Sequence, residues 1–273
     1  MERLDEAGET MNPKHDYTLI DGRAVSLPDA LPEGVYLYQR MRTIDGRALH
    51  LDAHLAVLDE GVHTLFGRTL RLPKERVAAE VAELLHLNGY PSGGATVTLR
   101  IYADGTRLLA ADGVSLYRGY VLRSLRPAAA VVPCSCYRAE WPTSVRYETV
   151  RWARTEAQRC GARVALWCDA DGLLRRADDA PLFAVRDDVI HASSDSVEVE
   201  YQLVLDAARA AGIRVTGRPV EAAQLDRYDE LFSFDCEGVC AIASCGGRLY
   251  LSLTAERIAC ALAASCGGTF PEK

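Results

Sequence analysis

The strongest constraint on the fold is a repeated change of hydrophobic period, from two to near 3.6, on each side of one mid-chain break. GVYLYQRMRTIDG (34–46) reads as a strand that ends in an Asp-Gly turn. In the following LDAHLAVLDEGVHTLF, Leu51, Leu55, Leu58 and Val62 recur at helical spacing, with Asp52 suited to start the helix. A second helix, LPKERVAAEVAELLHL, places Pro73 in a first-turn position and buries Val77, Val81 and Leu84 or Leu85. ATVTLRIYA and TRLLAAD then form a hairpin through Asp104-Gly105. A linker near Leu122–Ala129 marks the break.

Beyond the break, AAAVVPCSCYR leads to a helix, TVRWARTEAQRCG, ended by Gly161. Strands ARVALWCD, GLLRRA, LFAVRDD and VIHAS follow, then the helix VEYQLVLDAARAAG and the strand IRVTGRPV. RYDELFSFD returns as a buried strand, and TAERIACALAAS closes as a helix capped by Thr254. This is an α+β layout in two domains. The expected boundaries are a partly flexible N-terminal segment 1–30, an N-terminal domain 31–125 and a C-terminal domain 126–273.

Composition narrows the chemistry. A net charge of −7 supplies no basic face for nucleic acid. No apolar run approaches the roughly 20 residues of a membrane span, and the polar start MERLDEAGETMNPKHDYT lacks the apolar core of a signal peptide. The expected location is the cytoplasm, with the nine cysteines as reduced thiols. Cys236, Cys240 and Cys245 lack the paired CxxC spacing of structural zinc, so no metal is expected. Lysine is scarce: only three of the 31 basic residues are lysines, Lys14, Lys74 and Lys273.

The string RTIDGRALHLDAHLAVL resembles the N-terminal signature of the class IV aminotransferases, the fold type IV pyridoxal-phosphate enzymes. These include branched-chain and D-amino-acid aminotransferases and aminodeoxychorismate lyase. TEAQRCGARVALWCDADGLLRRADDAPLFAVRDDVIHAS and VLDAARAAGIRVTGRPVEAAQLDRYDELF resemble the family's C-terminal half in the same order, so the resemblance covers about residues 33–250. It implies the two-domain fold, a homodimer and a site between the domains. In the family, a lysine forms the Schiff base and a glutamate keeps the pyridine nitrogen protonated. An arginine and two backbone turns hold the phosphate.

Carried across residue by residue, the lysine place falls on Glu148, the glutamate place on Arg176 and an asparagine place on Pro181. The phosphate-binding arginine becomes Val57. One phosphate turn falls on Glu198-Val199-Glu200 and the other on Phe234-Asp235-Cys236. Tyr38, Arg40 and Arg42 share one face of the first strand and are candidates to grip a ligand carboxylate. His54 reads as structural, as do Asp229 and Glu230. The resemblance thus implies a member with a degenerate cofactor site, no cofactor and no transaminase activity, in which Glu148 pairs with Arg176 across the cavity. That member would be a small-molecule-binding or regulatory homologue. Two alternatives stand beside it: a pyridoxal-phosphate-dependent aminotransferase or lyase, and a cofactor-free lyase or isomerase with Glu148 as base.

Overall fold

A computed structural model describes residues 17–26, 31–90, 94–114, 117–192 and 197–266. The expectation for 1–30 lies mostly outside them. Two sheets organise the chain. The first contains β1 (Tyr17–Ile20), β2 (Arg23–Ser26), β3 (Tyr36–Ile44), β4 (Arg47–Ala48), β5 (Ala95–Tyr102) and β6 (Arg107–Val114), in the order β2-β1-β6-β5-β3-β4. All its pairings are antiparallel. One face is covered by α1 (Leu51–Phe66) and α2 (Lys74–Leu87), whose Leu58, Val62, Val77 and Val81 meet Met41, Val97 and Leu99 of the sheet.

The helical stripe read from sequence is therefore the buried one, but the helix starts differ. His50, not Asp52, is the N-cap of α1, and it sits in the left-handed region at φ 53°. Asp52 lies in the exposed first turn and pairs with Lys74. Pro73 stands one place before α2, as its N-cap.

The second sheet is built from β7 (Ala128–Pro133), β8 (Val164–Cys168), β9 (Leu173–Ala177), β10 (Ala180–Arg186), β11 (Val189–Ala192), β12 (Arg214–Thr216), β13 (Val220–Glu221), β14 (Glu230–Asp235), β15 (Gly238–Ala241), β16 (Ser244–Cys245) and β17 (Arg248–Leu249). It runs β12-β11-β10-β9-β8-β7-β16-β17, with β13 paired to β9, and β14 joining β10 to β15. The parallel pair β7/β8 is connected through α3 (Ser144–Arg159), and β11/β12 through α4 (Val199–Ala210). The main core lies where α4 and α5 (Leu253–Ser265) pack on β10, β14 and β15 around Phe183, Phe232 and Phe234.

The linker is tied down where it passes the second sheet. Val239 N–H donates to the Val121 carbonyl at 2.9 Å, and Arg123 N–H to the Val239 carbonyl at 2.8 Å. Gly238, at φ 124°, makes this approach possible: a Cβ there would stand 2.2 Å from the Val121 oxygen. Strand β3 meets the segment before α3 where Tyr38 N–H donates to the Pro142 carbonyl at 2.8 Å.

Two further helix boundaries depart from the sequence reading. Ser252 occupies the N-cap position of α5 without a side-chain capping bond, and Thr254 lies within the first turn. α3 starts at Ser144, five residues before the expected Thr149, because Thr143 is its N-cap and its hydroxyl accepts from Arg146 N–H at 3.3 Å. That extra turn matters for the site.

Candidate functional site

Five elements converge between the sheets. β3 brings Tyr38 and Arg40, the first turn of α3 brings Arg146, and the β9–β10 turn brings Asp178 and Asp179. The start of α4 brings Glu198 and Glu200, with the β14–β15 turn closing the far side through Phe234, Asp235 and Cys236. These residues line a cavity of ≈ 80 Å³.

Its centre is a chain of buried charges. Tyr38 Oη donates to Asp179 Oδ2 at 2.6 Å, and Arg146 Nε donates to Asp179 Oδ1 at 2.9 Å. Arg146 Nη2 donates to Glu198 Oε1 at 2.7 Å. Arg176 Nη2 reaches the same Glu198 oxygen and also donates to the Asp179 carbonyl at 2.7 Å. Arg146, Arg176 and Glu198 are only 2%, 5% and 6% exposed, so each charge depends on its partners.

The electrostatics follow from that geometry. Burial opposes the Arg146 charge, but the facing carboxylates of Asp179 and Glu198 overcome it and raise its pKa. Arg176 shares its carboxylate with Arg146, and burial followed by repulsion from Arg146 lowers its pKa. Burial opposes ionisation of Asp179, but Arg146 and Arg176 hold its carboxyl below the ordinary value. Glu200 is pushed up to about 8 by burial and by the Glu198 charge.

The sequence candidates divide. Tyr38 and Arg40 line the cavity, with Arg40 3.5 Å from Glu237. Arg42 points elsewhere, and its Nη2 donates to the Tyr117 carbonyl at 2.6 Å. Glu198, Glu200, Phe234, Asp235 and Cys236 reach the cavity, and Pro181 lines it opposite Arg176 in the strand register. Val199 is buried at the start of α4. Val57 packs at the edge of the first core and not in the cavity.

The expected Glu148–Arg176 pair does not form. Glu148 is on the outer face of α3, with a side chain 57% exposed and 3.2 Å from Arg151. Starting α3 at Thr149 leaves residue 146 outside the helix, which is why sequence reasoning misses Arg146. The Thr143 cap adds a first turn, and that turn carries Arg146 inward. The local signal is Pro142-Thr143, a good N-cap following a proline. Asp179 is missed as well, since it lies in a turn whose direction only the sheet pairing defines. His54 is buried, with Nδ1 2.6 Å from Gln39 Oε1, and burial drops its pKa to about 3.

The comparisons with known proteins agree with this architecture. The model of the amino-transferase class IV family matches residues 36–236. The chain belongs to the class IV aminotransferase family. Comparison with curated sequences returned no match. Among solved structures it is similar to the branched-chain aminotransferase of Thermoproteus uzoniensis with norvaline, at TM-score 0.78 and 18% identity, over 92% of this chain and 95% of that one. An aminotransferase from Brucella abortus bound to PLP gives 0.77 at 17% identity, over 91% and 98% of the two chains. A hypothetical aminotransferase from Mycobacterium tuberculosis, in its PLP-bound form, gives 0.76 at 17% identity, over 92% and 98%.

These last two structures overturn the expectation of no cofactor: the cofactor that the solved members of this fold point to is pyridoxal 5′-phosphate (PLP). The residues of this chain do not fit its covalent anchor. Among the described residues the only lysine is Lys74, half exposed on α2 and paired with Asp52. The space between the sheets, ≈ 80 Å³, is also below the ~300 Å³ at which small-molecule pockets begin. Arg146 and Glu198 crowd its centre.

Proposed function

We propose that this member of the class IV aminotransferase family binds a small molecule and does not transaminate through a lysine of its own. The observation that carries this reading is the closed chain Tyr38–Asp179–Arg146–Glu198–Arg176 at the centre of a site that no lysine lines among the described residues. A transaminase needs a base that can bond the cofactor aldehyde and move a proton at Cα. Guanidinium groups held by buried carboxylates supply neither. The exposure of Glu148 on the outer face of α3 weighs against the cofactor-free alternative.

The fold likeness to cofactor-bound aminotransferases favours a second reading, a pyridoxal-phosphate-dependent aminotransferase. One experiment separates the two. The protein is incubated with pyridoxal phosphate, reduced with borohydride to trap any Schiff base, and mapped by peptide mass. In parallel, amino-group transfer from branched-chain amino acids to 2-oxoglutarate is assayed. We expect no trapped adduct in the cavity and no turnover. A stoichiometric adduct on one lysine together with turnover would establish the second reading.

The same proposal includes a homodimer. Val145 and Trp152 lie seven residues apart on one face of α3 and are 45% and 69% exposed, a position suited to a partner surface. Sedimentation equilibrium should give twice the chain mass, and a monomer at micromolar concentration would rule the dimer out.

A further inference from the structure

Most of the charged groups that line the cavity between the sheets are paired with one another. Arg146 holds Asp179 at 2.9 Å and Glu198 at 2.7 Å, Arg154 stands 3.0 Å from Asp178, and Arg123 pairs with Asp235. Two groups are left over. Arg40 makes no side-chain hydrogen bond among the described residues, and its one ion pair there, with Glu237, is 3.5 Å long. Its side chain is 30% exposed, so the guanidinium is within reach of a ligand. Glu200, half-buried in the first turn of α4, also lines the cavity, and among the described residues its carboxyl meets no partner but its own backbone N–H.

The Cys236 thiol lies within electrostatic reach of both Arg40 and Glu200, so the two share the end of the cavity closed by the β14–β15 turn. The groups around Glu200 are mostly acidic or neutral: Glu198 beside it at the start of α4, Asp235 and Cys236 on the turn, and Tyr120 just before the linker. Arg146 of α3 is the opposing cation. Burial and the Glu198 charge keep the Glu200 carboxyl protonated up to about pH 8. At neutral pH this end of the cavity therefore presents a guanidinium and a carboxyl O–H, two donors that lack acceptors.

We propose that this end of the cavity binds a short monocarboxylate with one further oxygen, its carboxylate on Arg40 and the further oxygen at the Glu200 carboxyl. A volume of ≈ 80 Å³ holds roughly five to eight water-sized groups at ~10–15 Å³ each, which suits a 2-hydroxy acid of about two or three carbons. A guanidinium matches the planar carboxylate with charge-assisted bonds. A dianion is disfavoured, because Glu198 and Asp235 already place negative charge beside it. Loss of the Glu200 proton would add another such charge, so binding weakens as pH rises through about 8. This inference rests on the small-molecule-binding reading and gives that site a ligand class and a coupled proton.

The test is calorimetric titration of the full chain with glycolate and L-lactate, beside ethylene glycol as the uncharged counterpart of glycolate and sulfate as a dianion. Wild type is compared with Arg40→Met, which keeps the apolar stem and removes the charge, and with Glu200→Gln, which keeps a neutral donor and cannot ionise. Thermal melts establish that both variants fold. Saturable binding of at least one hydroxy acid is expected, with none of ethylene glycol or sulfate, and roughly tenfold or greater weakening in Arg40→Met for the lost charge-assisted bond. Wild-type affinity should be level below about pH 7 and fall about tenfold per pH unit above about 8. Glu200→Gln should bind with level affinity throughout, a readout that a merely structural Glu200 would not give. Absence of hydroxy-acid binding, equal binding in Arg40→Met, or a wild-type affinity that stays level or rises across about pH 8 would each overturn the proposal, while leaving the binding of other small molecules intact. Should Arg40→Met not fold, the pH profiles of wild type and Glu200→Gln decide alone. The broader reading fails separately, by the trapped lysine adduct and turnover described above.

Discussion

Helices α4 and α5 both begin beside a buried glutamate, and the two glutamates act differently. Glu230, on β14, is 3% exposed and points its carboxylate at the start of α5. It accepts from Thr254 N–H at 2.8 and 3.0 Å and from Ala255 N–H at 3.1 Å. The helix end itself supplies the positive field that the anion needs. Glu198 is the N-cap residue of α4, yet its side chain makes no capping bond. It turns instead to Arg146 and Arg176.

The comparison teaches that a carboxylate at a helix start does not by itself reveal its job. At α5 it is bound to the helix backbone and acts as part of the helix. At α4 it belongs to an ion network that joins three elements, and the helix merely carries it. The difference arises from what stands opposite: backbone N–H groups in one case, two arginines from α3 and β9 in the other.

The comparison breaks most sharply at α4. Glu198→Ala should cost about 3–5 kcal/mol, because it leaves two buried guanidinium groups without their shared carboxylate. Urea unfolding measures this, and adding Arg176→Met should recover part of the loss by removing one of the stranded charges. A cost below ~1 kcal/mol would mean that the network is wet and loosely held. Glu230→Ala comes next, at about 2–3 kcal/mol for charge-assisted bonds to the first turn of α5. Here no arginine substitution should compensate.

A pH test sharpens the same contrast. Glu200 in the first turn of α4 has its carboxyl raised from 4.5 to about 8. The folded state therefore holds a proton that the unfolded state releases, so this contribution is fully present below about 4.5 and lost as pH rises through about 8. Melting temperature should fall with pH across that window, and Glu200→Gln should flatten the fall. An unchanged slope would show that Glu200 titrates like a free carboxyl. The smallest effect belongs to Glu148→Ala, within about 0.5 kcal/mol, since an exposed i,i+3 pair with Arg151 contributes little. A larger loss would mean that this face of α3 is buried against another chain.

Much of the fold is legible from residues alone. Leu58 and Val62 recur with the helix, and Val77 and Val81 do the same, so their burial against the first sheet follows from period. The Asp104-Gly105 hairpin also stands where its residues indicate. The site is less legible. Placing the family's lysine on Glu148 depends on the start of α3, and an error of a few residues moves a side chain from the cavity to the solvent face. Arg146 and Asp179 carry no local mark that distinguishes them from surface charges. Arg176 stands out in the sequence and is indeed buried in an ion pair, but its carboxylate is Glu198 and not Glu148.

The sequence by itself determined the period of each element and the absence of any lysine between 75 and 272, because both are properties of residue type and order. Only the tertiary structure decided which charges meet. Glu198 lies 22 residues from Arg176 and 52 from Arg146, and nothing in local propensity selects such partners. Their pairing is set by strand register, by the extra first turn of α3 and by the need of each buried charge for an opposite one.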